Sequence, residues 1–130
     1  METSSCGYHV QKYNQPIKRY CQTLDLKKSP ILIAKYKQLH SQEFVWPEIL
    51  AGIRQVGILE MEIFIIRHHL FMIVETPLDF DWDKAMAELD KLPRQREWEN
   101  YVSVFQSVLP GSTSSQKWQL MDRIFHLYNK

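Results

Sequence analysis

Cysteine, glycine and an excess of charge of either sign are all scarce in this sequence. Its 130 residues include two cysteines, Cys6 and Cys21, and four glycines. The cysteines belong to no Cys-x-x-Cys or Cys/His pattern, which argues against a disulfide framework and against the common zinc modules. Lys and Arg number 16 against 15 Asp and Glu. The sequence has no cluster of basic residues of the kind that binds nucleic-acid phosphates, so we predict no nucleic-acid partner.

Long apolar runs are missing as well. The longest, residues 63–66 and 70–74, are far shorter than the roughly 20 residues that a transmembrane helix needs. Residues 1–13 are polar and contain no apolar stretch typical of a signal peptide. We therefore expect a cytoplasmic protein without a membrane partner.

The remaining composition is that of a globular protein. Apolar residues make up 45% of the chain and aromatic residues 12%, which argues against disorder. Residues 1–16, which end at Pro16, are expected to form a poorly ordered leader. Residues 17–130 have the length of one compact unit, so we expect them to form a single domain.

Hydrophobic periodicity predicts alternating strands and helices. Strands are expected at residues 17–24, 58–66, 70–75 and 118–127. Helices are expected from Pro30, where Ser29 is a capping residue, and at 47–56, 80–89 and 93–107, with a loop at 111–115. The resulting order, β-α-β-β-α-β, is the ferredoxin-like α+β motif with an antiparallel sheet. Because helices would cover one sheet face, the other apolar face predicts a homodimer of the dimeric α/β barrel type.

Tyr36 and His40 are the first candidate functional residues. They lie four positions apart in a predicted helix, so their side chains share one face. Histidine titrates near neutral pH, and one imidazole can therefore both give and take a proton. An ordinary amphipathic helix face would contain the same pair, and the residues alone leave both interpretations open. Trp46-Pro47-Glu48, which follows, would also suit a purely structural helix start.

Residues 36–40 (YKQLH) and 46–48 (WPE) resemble segments of the L-rhamnose mutarotase family. Residues 70–75, Trp98 with Tyr101, and residues 124–128 resemble later segments of that family in the same order. This family interconverts the α and β anomers of a 6-deoxy hexose, forms ferredoxin-like homodimers and uses no metal or redox cofactor. The resemblance implies a sugar mutarotase, an isomerase that acts on a monosaccharide without a cofactor.

The resemblance also implies roles for individual residues. His40 would be the catalytic general acid and Tyr36 would bind the sugar. Tryptophans would stack on the apolar side of the ring, and a second proton-transfer group would assist the imidazole. The further sugar-binding residues expected on this basis are Trp46, Met61, Glu62 and Trp98, and no metal ligand is expected.

Three departures from the family pattern favour a divergent subfamily. In familiar bacterial members the histidine precedes the tryptophan by four residues, whereas His40 precedes Trp46 by six. We interpret this as an insertion after His40, although an ungapped count would place Gln42 at the acid's position. In addition, Met61 stands where those members have a sugar-contacting tyrosine, and one of their paired tryptophans is replaced here by Glu97. L-fucose is therefore a rival substrate to L-rhamnose.

Three further histidines, His68, His69 and His126, are not expected to bind a metal ion. His68 and His69 are expected in a solvated hairpin turn, and His126 would either line the site or pack. None of these histidines shows zinc-ligand spacing. The alternatives to a mutarotase are a non-catalytic dimeric binding module and a cofactor-free monooxygenase on the same scaffold.

Overall fold

The computed structural model describes residues 4–128 of the chain, so residues 1–3 of the predicted leader and residues 129–130 of the predicted domain lie outside the described part. After a short 3-10 turn at Ser4–Cys6, nine elements follow in order. They are β1 (Ile17–Asp25), α1 (Pro30–Leu39), α2 (Pro47–Gln55), β2 (Glu60–Ile66), β3 (His69–Pro77), α3 (Trp82–Leu89), α4 (Gln95–Val102), α5 (Ser114–Lys117) and β4 (Gln119–Leu120).

The four strands form one sheet in the order β2-β3-β1-β4. Every neighbouring pair is antiparallel. With α1 and α2 between β1 and β2, and α3, α4 and α5 between β3 and β4, this is the predicted ferredoxin-like α+β arrangement, which is therefore confirmed.

The two faces of the sheet have different surroundings. Cross-strand partners such as Tyr20, Val74 and Met61 point to the same face, because directly paired residues share a side of the sheet. This helix-side face packs with Tyr36 and Trp98 in the hydrophobic core. The outer face carries the alternate residues of the same strands, which include Arg19, Glu62, Phe71, Ile73 and Glu75.

The predicted helix starts agree with local capping chemistry. The Ser29 hydroxyl accepts a hydrogen bond from the Leu32 amide at 3.3 Å, and Pro30 occupies the first position of α1. Pro47 likewise begins α2, and Gly57 follows its end with a φ of 101°. This left-handed conformation favours glycine, as expected at a helix C-terminus.

Three predicted boundaries were wrong. The helix expected at 80–89 starts at Trp82, because the Asp81 carboxylate caps it by accepting from the Lys84 amide. The helix expected at 93–107 spans Gln95–Val102. It starts after Arg94, whose φ is 64°, and it gives way to a segment that pairs with the end of β1 through the Leu26–Gln106 bridge. The loop expected at 111–115 contains the start of α5.

The last predicted strand, 118–127, is reduced to the two residues of β4. β4 pairs with β1 at Gln22 and Thr23, and the Met121 amide still donates to the Cys21 carbonyl at 2.8 Å. Beyond that bond residues 122–128 are exposed and form no assigned strand. The alternation of apolar and polar side chains therefore predicted too long a strand, because the length of β4 depends on how far it pairs with β1.

Two tyrosines of the predicted leader contact the outer face. The Tyr8 ring lies 5.6 Å from the Phe64 ring, and the Tyr13 hydroxyl donates to Glu75 Oε1 at 2.9 Å. The division into a leader and a single domain at 17–130 stays a prediction. Among the described residues, no helix has the length and apolarity needed to cross a membrane.

Candidate active site

The C-terminal turn of α1 positions the two central candidates. The Tyr36 and His40 rings lie 4.2 Å apart between centroids. His40 Nδ1 lies 2.8 Å from the Tyr36 carbonyl oxygen. A carbonyl oxygen only accepts, so Nδ1 carries the hydrogen and donates it. In the neutral imidazole Nε2 is therefore the atom with a lone pair.

Aromatic side chains from two other segments enclose this histidine. The Trp98 ring, on α4, lies 5.4 Å from the His40 ring and 5.0 Å from the Trp46 ring. Tyr101, one turn further along α4, stacks parallel to Trp46 at 5.8 Å. The structure thus brings together four of the predicted site residues, Tyr36, His40, Trp46 and Trp98. We call them, with Tyr101, the aromatic cluster.

Burial changes the acid–base properties of both central residues. Loss of hydration lowers the pKa of His40 below its ordinary value of 6.5, and the hydrogen bond to the Tyr36 carbonyl offsets this in part. Burial also raises the pKa of Tyr36 well above its usual range, against a smaller opposite effect of its hydrogen bond with Gln106. At neutral pH the imidazole is therefore neutral and the phenol protonated.

Gln106 contacts Tyr36 from a distant part of the sequence. Its Nε2 donates to the Tyr36 hydroxyl oxygen at 3.2 Å. The side chain is 2% exposed, and its Oε1 atom has no hydrogen-bond partner among the described residues. Because the Tyr36 oxygen accepts this bond, its own hydrogen is available for donation to another oxygen. Sequence reasoning missed Gln106, which lies 70 residues from Tyr36.

A buried ion pair lies next to Trp98 along α4. Lys117 Nζ donates to Glu99 Oε1 at 2.8 Å and to the Glu99 carbonyl at 2.6 Å. Gln95 Nε2 donates to the other carboxylate oxygen at 2.7 Å. The Glu99 charge is near enough to Tyr36 to raise its pKa further. The signal in the sequence was the spacing of Gln95, Trp98, Glu99 and Val102, a buried helical stripe with two polar members.

The rim of the aromatic cluster is charged. The Arg94 guanidinium lies 3.9 Å over the Trp46 ring, a cation–π arrangement. It also forms ion pairs with Glu97 at 3.0 Å and with Glu48 at 3.6 Å. Glu48, the last residue of the WPE segment, therefore contacts Arg94 at the surface. Gln42, the ungapped alternative to His40, is exposed in the turn that joins α1 to α2.

The last two predicted site residues, Met61 and Glu62, point to opposite sides of the sheet. Met61 pairs with Val74 and packs against the core on the helix-side face. Glu62 follows it and therefore lies on the outer face, where its charge, with that of Glu60, is near Tyr13. The structure does not bring Glu62 together with His40. The sugar-binding roles of these two residues stay predictions.

Two surface cavities and one possible metal-ligand cluster lie elsewhere. The cavities measure about 190 Å³ and 220 Å³, and His40 lines neither. In residues 4–128, one group of three side chains has ligand atoms close enough to share a metal ion, namely Asp25, His68 and His69. It lies at the end of the sheet where β1 ends and β3 begins.

Comparison with known proteins gives consistent results. Residues 19–127 match the L-rhamnose mutarotase family model. The chain is 39% identical over 111 residues to L-fucose mutarotase from Xanthomonas campestris pv. campestris, covering 85% of this chain and 89% of that protein. It is 35% identical over 114 residues to a UPF0734 protein of Dictyostelium discoideum, covering 85% and 90%.

Solved structures share the fold. The L-rhamnose mutarotase of Formosa agariphila superposes with a TM-score of 0.63 at 21% identity, covering 85% of this chain and 99% of that one. A dimeric ferredoxin-like protein from an uncultured marine organism gives a TM-score of 0.50 at 14% identity, covering 83% and 90%. At these identities the similarity supports the architecture, while the sequence comparisons bear on the chemistry.

Proposed function

The chain belongs to the L-rhamnose mutarotase family and is therefore a sugar isomerase that interconverts anomers. We propose that its substrate is a 6-deoxy hexose and that His40 transfers the proton. The observation that carries this proposal is the hydrogen bond from His40 Nδ1 to the Tyr36 carbonyl. It leaves Nε2 as the basic atom of an imidazole that burial keeps neutral.

The reaction needs one proton to move between two oxygens of the sugar. His40 Nε2 takes the proton of the anomeric hydroxyl, the C1 carbonyl forms and the bond between C1 and the ring oxygen breaks. The imidazolium then gives this proton to the ring oxygen. After rotation about the C1–C2 bond, the same steps in reverse close the ring on the other face of the C1 carbonyl. Atoms and charge balance with a single imidazole, and a positioned group of this kind contributes about 10²–10⁴-fold.

The neighbours of His40 supply the remaining functions in this proposal. Tyr36 keeps its proton because its pKa is raised, so it acts as a hydrogen-bond donor to a sugar hydroxyl. Trp98 and Trp46 provide flat apolar surface near the imidazole. A 6-deoxy sugar presents a methyl group and an apolar ring face to such a surface. Met61, on the same side of the sheet, is the residue we propose for contact with the methyl group.

We propose L-fucose rather than L-rhamnose as the preferred sugar. The support is the L-fucose mutarotase relative at 39% identity. The departures noted in the sequence agree with it, because a methionine in place of a tyrosine removes one hydroxyl that would bind a sugar oxygen. L-fucose and L-rhamnose carry the same hydroxyl groups in different orientations, so the loss of one hydrogen-bonding side chain changes the discrimination between them.

Saturation-transfer NMR on equilibrated sugars tests the proposal. Saturating one anomeric proton signal and following the other reports anomer exchange directly. We expect the protein to accelerate exchange of L-fucose most, L-rhamnose less and D-glucose least. Faster exchange of L-rhamnose than of L-fucose would reject the sugar assignment. No acceleration for any of the three would reject the proposed role of His40 together with the substrate class.

We also propose that the protein is a homodimer. Phe71 is exposed on the outer face, and Ile124 and Phe125 of the C-terminal segment are 97% and 75% exposed. Apolar surface of this kind is typical of an interface. Light scattering should give twice the chain mass of 15.6 kDa, and the Phe71→Asp variant should give a monomer. A monomeric parent protein would contradict this proposal. The cytoplasmic location stays a prediction.

The two alternative functions have no observation in their favour. A non-catalytic binding module has no need for a neutral imidazole whose tautomer is fixed beside an aromatic surface. A cofactor-free monooxygenase would use the same scaffold, but the family match covers residues 19–127 and describes mutarotases.

A further inference from the structure

We infer that Asp25, His68 and His69 form a binding site for one divalent transition-metal ion, such as Zn²⁺, at the end of the sheet where β1 ends and β3 begins. One ligand atom from each side chain lies within 4.8 Å of the other two. Two imidazoles and one carboxylate are a ligand set that zinc and the later first-row divalent metals accept.

The backbone fixes all three residues in place. Asp25, the last residue of β1, is the direct cross-strand partner of His69, the first residue of β3. The His68 carbonyl accepts a hydrogen bond from the Leu26 amide at 2.7 Å, which ties the hairpin turn to the end of β1. Arg67 turns the chain with a φ of 56°, so that the two histidines follow a tight connection. Three potential ligands are thus presented by paired backbone rather than by a free loop.

The side chains are already close to the separations that a metal would impose. His69 Nδ1 and Asp25 Oδ1 are 2.8 Å apart, and the two imidazole rings are 4.0 Å apart between centroids. Zinc binds nitrogen and oxygen at about 2.0–2.2 Å, which places tetrahedral ligands roughly 3.3 Å from one another. Side-chain rotation alone covers the difference from 4.8 Å.

Exposure and charge indicate an open site rather than a closed structural one. The side chains of His69 and Asp25 are 42% and 49% exposed, so water can complete the coordination. One carboxylate neutralises half of the charge of a divalent ion. We therefore expect one metal ion per chain with a Kd of roughly 10 μM or tighter, which is weaker than a zinc finger.

The site is separate from the proposed sugar site. Asp25 and His69 alternate along their strands with the core residues Leu24 and Leu70, so their side chains lie on the outer face of the sheet, whereas His40 lies on the helix side. The inference therefore does not depend on the proposed function, and metal occupancy has no required part in mutarotation.

Isothermal titration of the full, tag-free protein with ZnCl₂ tests the inference. We expect binding of one Zn²⁺ per chain and no binding of Mg²⁺, which prefers an all-oxygen site. His68→Gln, His69→Gln and Asp25→Asn should each weaken Zn²⁺ binding by at least about 10-fold. His9→Gln, which changes an exposed histidine outside the cluster, should bind like the parent protein.

If the other two variants unfold, the His68→Gln variant still tests the inference, because it leaves the hydrogen bond between His69 and Asp25 in place. Absence of Zn²⁺ binding at about 100 μM would overturn the inference. Affinity unchanged in a folded His68→Gln protein would overturn it equally.

Discussion

The two faces of the sheet carry similar residue types in very different surroundings. On the helix-side face, His40 and Tyr36 lie under the rings of Trp98 and Trp46, and no carboxylate contacts the imidazole within hydrogen-bond distance in the described part of the chain. On the outer face, Glu75 accepts hydrogen bonds from Arg19 and Tyr13. The first arrangement keeps the His40 imidazole neutral, whereas the second surrounds the Glu75 carboxylate with hydrogen-bond donors.

This difference shows that neighbouring positions in a strand need not share a function. Met61 and Glu62 are consecutive, and both were predicted to contact the sugar. The β2 register directs Met61 toward the core with Val74, whereas Glu62 pairs with Ile73 on the outer face. A reaction that needs a buried, neutral imidazole takes place on the helix-side face, because burial lowers the pKa of His40.

The largest expected effect is on activity, and it distinguishes a substitution of His40 on the helix side from one of Glu62 on the outer face. His40→Gln should slow anomer exchange of L-fucose by about 10²–10⁴-fold, because it removes the proton-transfer atom. Glu62→Gln should stay within about twofold, because its carboxylate lies across the sheet from His40. Saturation-transfer rates measured on the three proteins under the same conditions give both ratios.

Gln42→Ala is the matched control for the gapped alignment, since Gln42 is exposed. It should retain the parent rate. A Glu62→Gln protein as slow as His40→Gln would show that the outer face takes part in the reaction, and a slow Gln42→Ala protein would reassign the general acid.

The next largest effect is on stability, and it distinguishes the ion pair of Lys117 with Glu99 from the ion pair of Arg19 with Glu75 on the outer face. Lys117→Met should lower the free energy of unfolding by about 3–5 kcal/mol, because it leaves the buried Glu99 carboxylate unpaired. Arg19→Met should cost about 1–2 kcal/mol, because Arg19 is 51% exposed and the Tyr13 bond to Glu75 remains. Urea unfolding of both variants measures the two values. Equal losses would contradict the contrast in burial.

A smaller effect concerns pH. The His40 pKa is lower in the folded chain than in the unfolded one, so the unfolded state binds more protons as the pH falls below 6.5. The stabilisation by neutral His40 is complete above pH 6.5 and is lost as the pH falls through the folded-state pKa. Each unit of pKa depression corresponds to about 1.4 kcal/mol. Unfolding free energies of the parent and His40→Gln proteins should therefore converge as the pH falls from 7.5 to 5.5; parallel curves would contradict a lowered pKa.

Much of the fold could be predicted because it depends on local pattern. Strand alternation, Ser29 before Pro30, and Gly57 after α2 each indicate structure within a few residues. The lengths of α4 and β4 could not be predicted, because they are set by pairing with Leu26, the residue after β1, and with Gln22 and Thr23 of β1. Pairing partners distant in sequence leave no mark on the local pattern.

The candidate site divides in the same way. Helical spacing placed Tyr36 beside His40, and the family resemblance supplied the tryptophans. The contact of Gln106 with Tyr36 spans 70 residues and had no signal of its own in the sequence. The helical spacing of Gln95 and Glu99 indicated polar members in a buried stripe, but it did not indicate Lys117, 18 residues away, as the partner of Glu99. The metal-ligand cluster was missed for the same reason, because the pairing of Asp25 with His69 depends on the register of β1 and β3.

The proposed mechanism requires that His40 is a neutral imidazole with its hydrogen on Nδ1 and its lone pair on Nε2. Long-range ¹H–¹⁵N NMR of the histidine rings, followed as the pH is lowered, measures the tautomer and the pKa together, with His40→Gln used to assign the signals. We predict the Nδ1–H tautomer at neutral pH and a pKa below 6.5 for His40. An Nε2–H tautomer, or a pKa above 6.5, would contradict it.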